Sequence, residues 1–196
     1  MGATFLRDTE DPHTGPWSVG QGPDAPDRKH LREILTELEP CSLLDVGCGT
    51  GIELDGILTE GLKVEYTGLD LTPEFIHFCR EKYPTETFMQ GDVLSLSAER
   101  AYDAVSARAV LEHLEDGERA LRRLWEACSK VCVISWFIPP GMKDEVERTA
   151  DGFIHHRYDQ REMTSLVASL APDRFVVTGL ENTQAEQLWE SWELWR

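Results

Sequence analysis

The sequence predicts an α/β protein: a mostly parallel sheet covered by helices on both faces. Apolar strand-like runs alternate with helical stretches from residue 41 onward, the pattern of a parallel sheet with crossover helices. A glycine-rich turn, LLDVGCGTG at 43–51, joins the first such run to the next helical stretch. The chain has 196 residues, 41% of them hydrophobic, enough to bury a sizeable core as one domain.

Each element has its own signature. DRKHLREILTELEP spaces Leu31, Ile34, Leu35 and Leu38 as one helix face, with Asp27 as the expected cap and Pro40 past the end. CSLLDV reads as a buried strand, and GIELDGILTEG as a helix closed by Gly61. KVEYTGLD is the next strand. TPEFIHFCREKY is a helix capped at Thr72 with Pro73 at its first position. TETFMQ and YDAVSA follow as strands, and the chain then reads as helical to about Ser129. KVCVISWFI is the most apolar strand, broken by Pro139-Pro140-Gly141, and residues 139–158 read as a polar loop. DQREMTSLVASL is a helix capped by Asp159, and RFVVTGLEN a strand. EQLWESWELW fits either a helix stripe or an edge strand, and its aromatic density favours the strand. Residues 1–27, rich in Gly, Pro and Asp, form an N-terminal arm with Trp17 as its anchor and a candidate lid; residues 28–196 form the single domain.

Composition narrows the function. With 36 acidic and 19 basic residues the formal charge is −17, which repels phosphate-rich partners and argues against nucleic acid or an anionic membrane. No stretch approaches the roughly 20 apolar residues of a membrane span. The N-terminus lacks the basic and apolar regions of a secretory signal, so the expected compartment is the cytoplasm. Five cysteines are an odd number, four of them in or beside apolar segments. They suit buried thiols better than a disulfide framework or a zinc site.

The glycine turn carries the chemistry. Gly47, Gly49 and Gly51 alternate, and Ile52 occupies the place of the third glycine in a dinucleotide fingerprint. No Gly-Lys-Ser/Thr follows, and Asp45 sets an acid beside any pyrophosphate. Such a turn suits a ligand ending in a zwitterionic amino acid, whose carboxylate meets amides and whose ammonium meets acids. LLDVGCGTG resembles motif I of the class I S-adenosylmethionine-dependent methyltransferases. Asp70 after YTGL, Gly91-Asp92-Val93 after the third strand and YDAVSARAVLEHL at 102–114 resemble later segments of that family, in order.

The resemblance implies a Rossmann-like three-layer sandwich, its sheet seven-stranded and mostly parallel with one antiparallel strand. It implies S-adenosylmethionine as cofactor and S-adenosylhomocysteine as product. It places Asp45, Gly47, Cys48, Gly49, Asp70, Leu71, Gly91, Asp92, Val93, Ala107 and Arg108 around the cofactor, with Asp70 on the ribose hydroxyls and Asp92 near the adenine amino group. Methyl transfer is a direct displacement in which the protein aligns the nucleophile; a base is needed only where the acceptor loses a proton. His113, His155 and His156 are the candidate bases. Trp17, Trp136 and Tyr158 are candidate acceptor contacts. The adjacent histidines do not suit a hard cation, so no metal is expected. The chain lacks an Asn or Asp before Pro139-Pro140, which disfavours methylation of nucleic-acid bases or protein amides. The expected acceptor is a small molecule methylated on O or N, and the expected assembly a monomer or homodimer. Two alternatives stand beside this reading. One is a non-catalytic cofactor-binding partner subunit with Trp189, Trp192 and Trp195 on its surface. The other is an aminopropyl-type transferase using acids such as Glu112, Glu115 and Asp116.

Overall fold

A computed structural model describes residues 22–97, 99–150, 152, 154–182 and 187–196. Nine strands and five helices run in the order α1 (Pro26–Leu38), β1 (Cys41–Val46), α2 (Ile52–Glu60), β2 (Val64–Asp70), α3 (Pro73–Lys82), β3 (Thr87–Gln90), β4 (Tyr102–Arg108), α4 (Gly117–Ala127), β5 (Cys128–Trp136), β6 (Glu145–Arg148), β7 (Ile154–Arg157), α5 (Gln160–Leu170), β8 (Arg174–Asn182) and β9 (Gln187–Trp195). Seven of the strands form one sheet in the order β3-β2-β1-β4-β5-β9-β8. β1 pairs in parallel with both β2 and β4, whereas β9 is antiparallel to β5 and to β8. β9 is thus the one reversed strand, and the ambiguous C-terminal aromatic run takes the strand form.

The sheet separates two cores. On one face Leu43, Tyr66, Phe88, Ala104 and Val131 pack against Leu31, Leu35, Leu54 and Ile76 of α1, α2 and α3. On the other, Leu44, Val105, Ile134, Trp136 and Trp192 pack against Leu121, Leu124, Met163 and Leu166 of α4 and α5. The strand order reverses between β1 and β4, so their carboxyl ends open the crevice where such sheets bind ligands.

Local details depart from the sequence reading in three places. Ala25, not Asp27, occupies the cap of α1, with Pro26 in its first turn; Asp27 points inward and is 2% exposed. The stretch before Ser129 is not one helix. A 3₁₀ turn at Leu111–His113 precedes α4, because Asp116 caps a fresh helix by accepting from the Arg119 amide at 3.0 Å. The loop at 139–158 contains the β6–β7 hairpin, whose residues pair from Glu145↔Arg157 to Arg148↔Ile154. All four β6 residues are exposed, so Glu145–Arg148 carries no apolar alternation to read.

Buried charge holds α1 to α2. Arg32, 2% exposed, donates to Glu60 at 2.6 Å, Glu53 at 3.3 Å and the Pro23 carbonyl at 2.8 Å. Gly56 makes room for it: a Cβ there would lie 2.7 Å from the guanidinium carbon. The helix-weakening glycine is the condition for burying that arginine.

Candidate active site

The three motif glycines are conformational requirements first. Gly47, Gly49 and Gly51 have φ of +73°, +53° and +78°, the left-handed region that side chains resist. Gly47 also packs where a Cβ would overlap Val110, and at Gly51 a Cβ would sit 2.7 Å from the Tyr83 ring. Gly49 differs: nothing lies within 4 Å of the place its Cβ would take. The space above the turn is open at that residue.

The turn's amides are mostly occupied. Gly47 and Cys48 donate to the Leu69 carbonyl at 2.7 and 3.1 Å, and Gly49 donates to Asp70 Oδ2 at 2.9 Å. Asp70 Oδ1 accepts from the Thr72 amide at 2.8 Å, so this half-buried carboxylate straps the turn while facing the crevice. Leu71 beside it is 68% exposed. Asp92 caps the next 3₁₀ turn through Oδ1, which accepts from Leu94 at 2.9 Å, and its side chain is otherwise exposed. Gly91 donates to the Asp70 carbonyl at 3.0 Å, tying the two acidic segments together. Val93 and Ala107 are buried in the core beneath.

Asp45 is buried beneath the turn. Its carboxylate accepts from Tyr66 at 2.8 Å and Ser106 at 3.0 Å, and it is 5% exposed. Burial pushes its pKa up, opposed by those two hydrogen bonds and by the Arg28 and Arg108 charges. Each oxygen accepts one bond inside the sheet, so this buried carboxylate braces the turn from beneath. The Cys48 thiol is inert. The adjoining Cys79 thiol, and then burial, push its pKa far up, and its Sγ lies 4.0 Å from the Gly49 carbonyl.

Unused polar groups gather beside Asp45 instead. Arg108, at the end of β4, is ion-paired with Asp27 and lies 4.5 Å over the Trp189 ring. Arg28, next in chain to Asp27, pairs with Glu53 at 3.1 Å. Asp27 Oδ1, Arg28 Nε, Arg108 Nη2 and Trp189 Nε1 are buried and have no hydrogen-bond partner among the described residues. Native structures pair the great majority of such atoms, so a cluster of them marks a place for a polar ligand or water. Asp27 and Arg28 escape sequence reading as site residues because α1 is remote in sequence from motif I, and Glu53, close after the motif, reads as an ordinary helix charge.

Two of the three candidate bases come together. His113 and His155 have ring centroids 5.5 Å apart, and each lies 6.0 Å from the Phe137 ring. His113 Nδ1 lies 2.9 Å from the Ile154 carbonyl, which can only accept, so Nδ1 carries the hydrogen and Nε2 holds the lone pair. Burial, and then the His155 charge, lower the His113 pKa, keeping the ring neutral at pH 7. His156 faces the other way on β7. Its two ring nitrogens meet Asp144 Oδ2 at 2.9 Å and the Leu114 carbonyl at 3.3 Å, so both are turned to protein partners.

The acceptor contacts expected at Trp136 and Tyr158 are corrected. Trp136 is fully buried on the α4/α5 side, edge-on to Tyr158 at 6.0 Å and to Trp192 at 5.5 Å. Tyr158 shares its hydroxyl hydrogen between the Leu111 and Leu114 carbonyls at 2.9 and 2.7 Å and fills the space left by Gly117. Both are structural. Phe137, the next residue, is half-buried and supplies an aromatic wall instead. Trp17 lies outside the described residues.

A cleft of about 490 Å³ opens beside this wall, lined by Ile138, Glu145, Val146, Glu147, His155 and Arg157. An acid-lined pocket of about 200 Å³ contains Glu115 and Asp116, as an aminopropyl-type site requires, but neither Asp70 nor the glycine turn lines it, and Glu112 is absent from it. Trp189 and Trp192 are 2% and 0% exposed, which removes the surface cluster that a partner-subunit reading needs. Among the described residues no helix is long and apolar enough to cross a membrane.

A methyltransferase-domain family model matches residues 44–134, the span from motif I to the end of β5. The chain is 33% identical over 119 residues to a ubiquinone biosynthesis O-methyltransferase of Xanthomonas axonopodis pv. citri, covering 54% of this chain and 48% of that one. It is 29% identical over 109 residues to a trans-aconitate 2-methyltransferase of Methylobacterium radiotolerans, covering 56% and 42%. The chain thus spans about half the length of the curated relatives it matches. A Burkholderia thailandensis 1,6-didemethyltoxoflavin N1-methyltransferase, solved with S-adenosylhomocysteine bound, superposes with a TM-score of 0.68 at 17% identity over 88% of this chain and 79% of that one. Over residues 44–134 the chain is thus similar to methyltransferase domains, and its fold is that of solved methyltransferases.

Proposed function

We propose that this protein transfers a methyl group from S-adenosylmethionine to an oxygen or nitrogen of a small-molecule acceptor. The observation that carries the reading is the crevice at the β1/β4 reversal. There a left-handed glycine turn, open above Gly49, is strapped by Asp70 and flanked by unpaired buried donors. When bound, S-adenosylmethionine supplies the electrophilic methyl group. Asp70 would hold the ribose hydroxyls, with Leu71 and Asp92 on the adenosine side. With Asp45 bonded to Tyr66 and Ser106, the amino-acid tail falls to the Arg28, Arg108 and Asp27 cluster, whose unpaired atoms include both donors and an acceptor.

On the acceptor side, His113 Nε2 would take the proton that the acceptor loses on methylation. His155 and Phe137 shape the wall beside it. The acidic surface and the aromatic wall favour a small acceptor over nucleic acid, with the enzyme acting in the cytoplasm as a monomer or homodimer.

Methyl-labelled S-adenosylmethionine incubated with pools of phenols, carboxylic acids and amines tests the activity. Label appearing in a small-molecule product, and reduced at least tenfold in His113→Gln, supports the reading. Tight cofactor binding with no transfer to any pool favours the non-catalytic alternative.

A further inference from the structure

Glu112 sits in VLEHL, at the turn after β4, where an acid would ordinarily face water. It is fully buried. Its Oε1 accepts from the Phe137 amide at 2.6 Å and the Ile138 amide at 3.3 Å, the first two residues beyond β5. Its Oε2 has no partner among the described residues. A single carboxylate therefore links the turn after β4 to the exit of β5, segments 25 positions apart.

The linked residues build the acceptor wall. Phe137, held through its amide, lies under His113 at 6.0 Å and 29° between ring planes, and 5.9 Å from Trp189. His113 directly follows Glu112 in the chain, and its Nδ1 reaches across to Ile154 of β7. Moving the Glu112 carboxylate moves both members of the ring stack. The neighbouring charged and titratable groups are few. Arg108 of β4 favours the ionised form, Tyr158 beyond β7 has its phenol pKa raised in part by Glu112, and Asp27 of α1 acts through its pair with Arg108. His113 and His155 stand on the far side of Phe137. Burial holds the Glu112 carboxyl up to about 7, against the amide hydrogen bonds and Arg108.

We propose that Glu112 is a positioning residue for the acceptor side. Its ionised carboxylate grips the Phe137 and Ile138 amides and so sets the Phe137–His113 stack, and the grip loosens when the carboxylate is protonated. The physical basis is that amides bond a charged carboxylate about twice as strongly as a neutral acceptor. The inference rests on the methyltransferase reading only in calling this wall the acceptor side; the grip itself is independent of it.

The test is nuclear magnetic resonance of the full chain between pH 5.5 and 8.5. The Phe137 and Ile138 amide shifts are expected to follow one titration centred near 7, and the Phe137–His113 ring contact to weaken on its acid side. In Glu112→Gln that titration is absent, and amide exchange at the two residues rises about tenfold at pH 8. Calorimetry with S-adenosylhomocysteine, whose proposed site Glu112 does not touch, stays within about twofold of wild type in the same variant. Amides that do not titrate near 7, or that titrate identically in Glu112→Gln, overturn the proposal. A ring contact indifferent to pH while the amides titrate reduces Glu112 to a structural tie and overturns it as well. If wild type itself fails to bind S-adenosylhomocysteine, the methyltransferase reading falls, and the amide titration still decides the grip.

Discussion

Gly47→Ala and Gly49→Ala should separate folding from binding within one turn. Both residues have positive φ, +73° and +53°, so each alanine pays a left-handed penalty of about 1–2 kcal/mol. Gly47→Ala adds an overlap of its Cβ with the Val110 side chain between two packed loops, an overpacking cost of about 1–3 kcal/mol. Its total destabilisation is therefore about 2–5 kcal/mol. Gly49→Ala meets no atom within 4 Å and keeps the smaller penalty alone. Its methyl group, however, projects into the space above the turn, where the proposed cofactor lies. Urea unfolding followed by calorimetry with S-adenosylhomocysteine reads both effects. The expected pattern is a crossover: Gly47→Ala loses most stability, whereas Gly49→Ala keeps its fold and loses at least tenfold in affinity. Equal destabilisation, or full affinity in Gly49→Ala, would refute the assignment of that open space to the ligand.

Other consequences follow from the buried charges. Arg28→Gln should weaken S-adenosylhomocysteine by about 10- to 100-fold, the cost of a charged hydrogen bond, and leave methylthioadenosine, which lacks the amino-acid tail, unchanged. Equal losses for both ligands in calorimetry would make Arg28 a purely structural residue. Tyr66→Phe strips Asp45 of one donor at 2.8 Å and should cost about 1–3 kcal/mol in urea unfolding; no loss would mean that water replaces the hydroxyl. Glu112 has a folded pKa of about 7, above the ordinary value of 4.5, so the native state binds the extra proton. Its contribution is present below about pH 4.5 and lost as pH rises through 7, about 3 kcal/mol in all. The stability of Glu112→Gln relative to wild type should rise over that interval, and a flat difference would contradict the shift.

The sheet and most of its helices are legible because apolar runs and caps are local signals. Thr72 and Asp159 stand at the helix starts they announce, and Gly61 ends α2. Faces are harder to read. KVCVISWFI is apolar at almost every position, so no alternation says that Trp136 turns to the α4/α5 core while Phe137, past the strand end, lines the wall. The hairpin is silent for the opposite reason: β6 is exposed at every residue and is held by its pairing with β7 and by the docking of β7 and Tyr158 on the turn after β4. Motif I locates the crevice but not the hydrogen bonds of Asp45, which depend on Tyr66 of β2 and Ser106 of β4 meeting it across neighbouring strands. Glu112 and Arg28 look like surface charges in sequence, and only the packing of distant segments buries them.

Calorimetric titration of the intact chain with S-adenosylhomocysteine, alongside Asp70→Ala, tests the central claim most directly. Asp70 holds the Gly49 and Thr72 amides and is the residue proposed to take the ribose hydroxyls. The account predicts one site in the wild type and an affinity at least tenfold lower in Asp70→Ala, with the fold retained by circular dichroism. No binding by the wild type, or equal affinity in the two proteins, contradicts it.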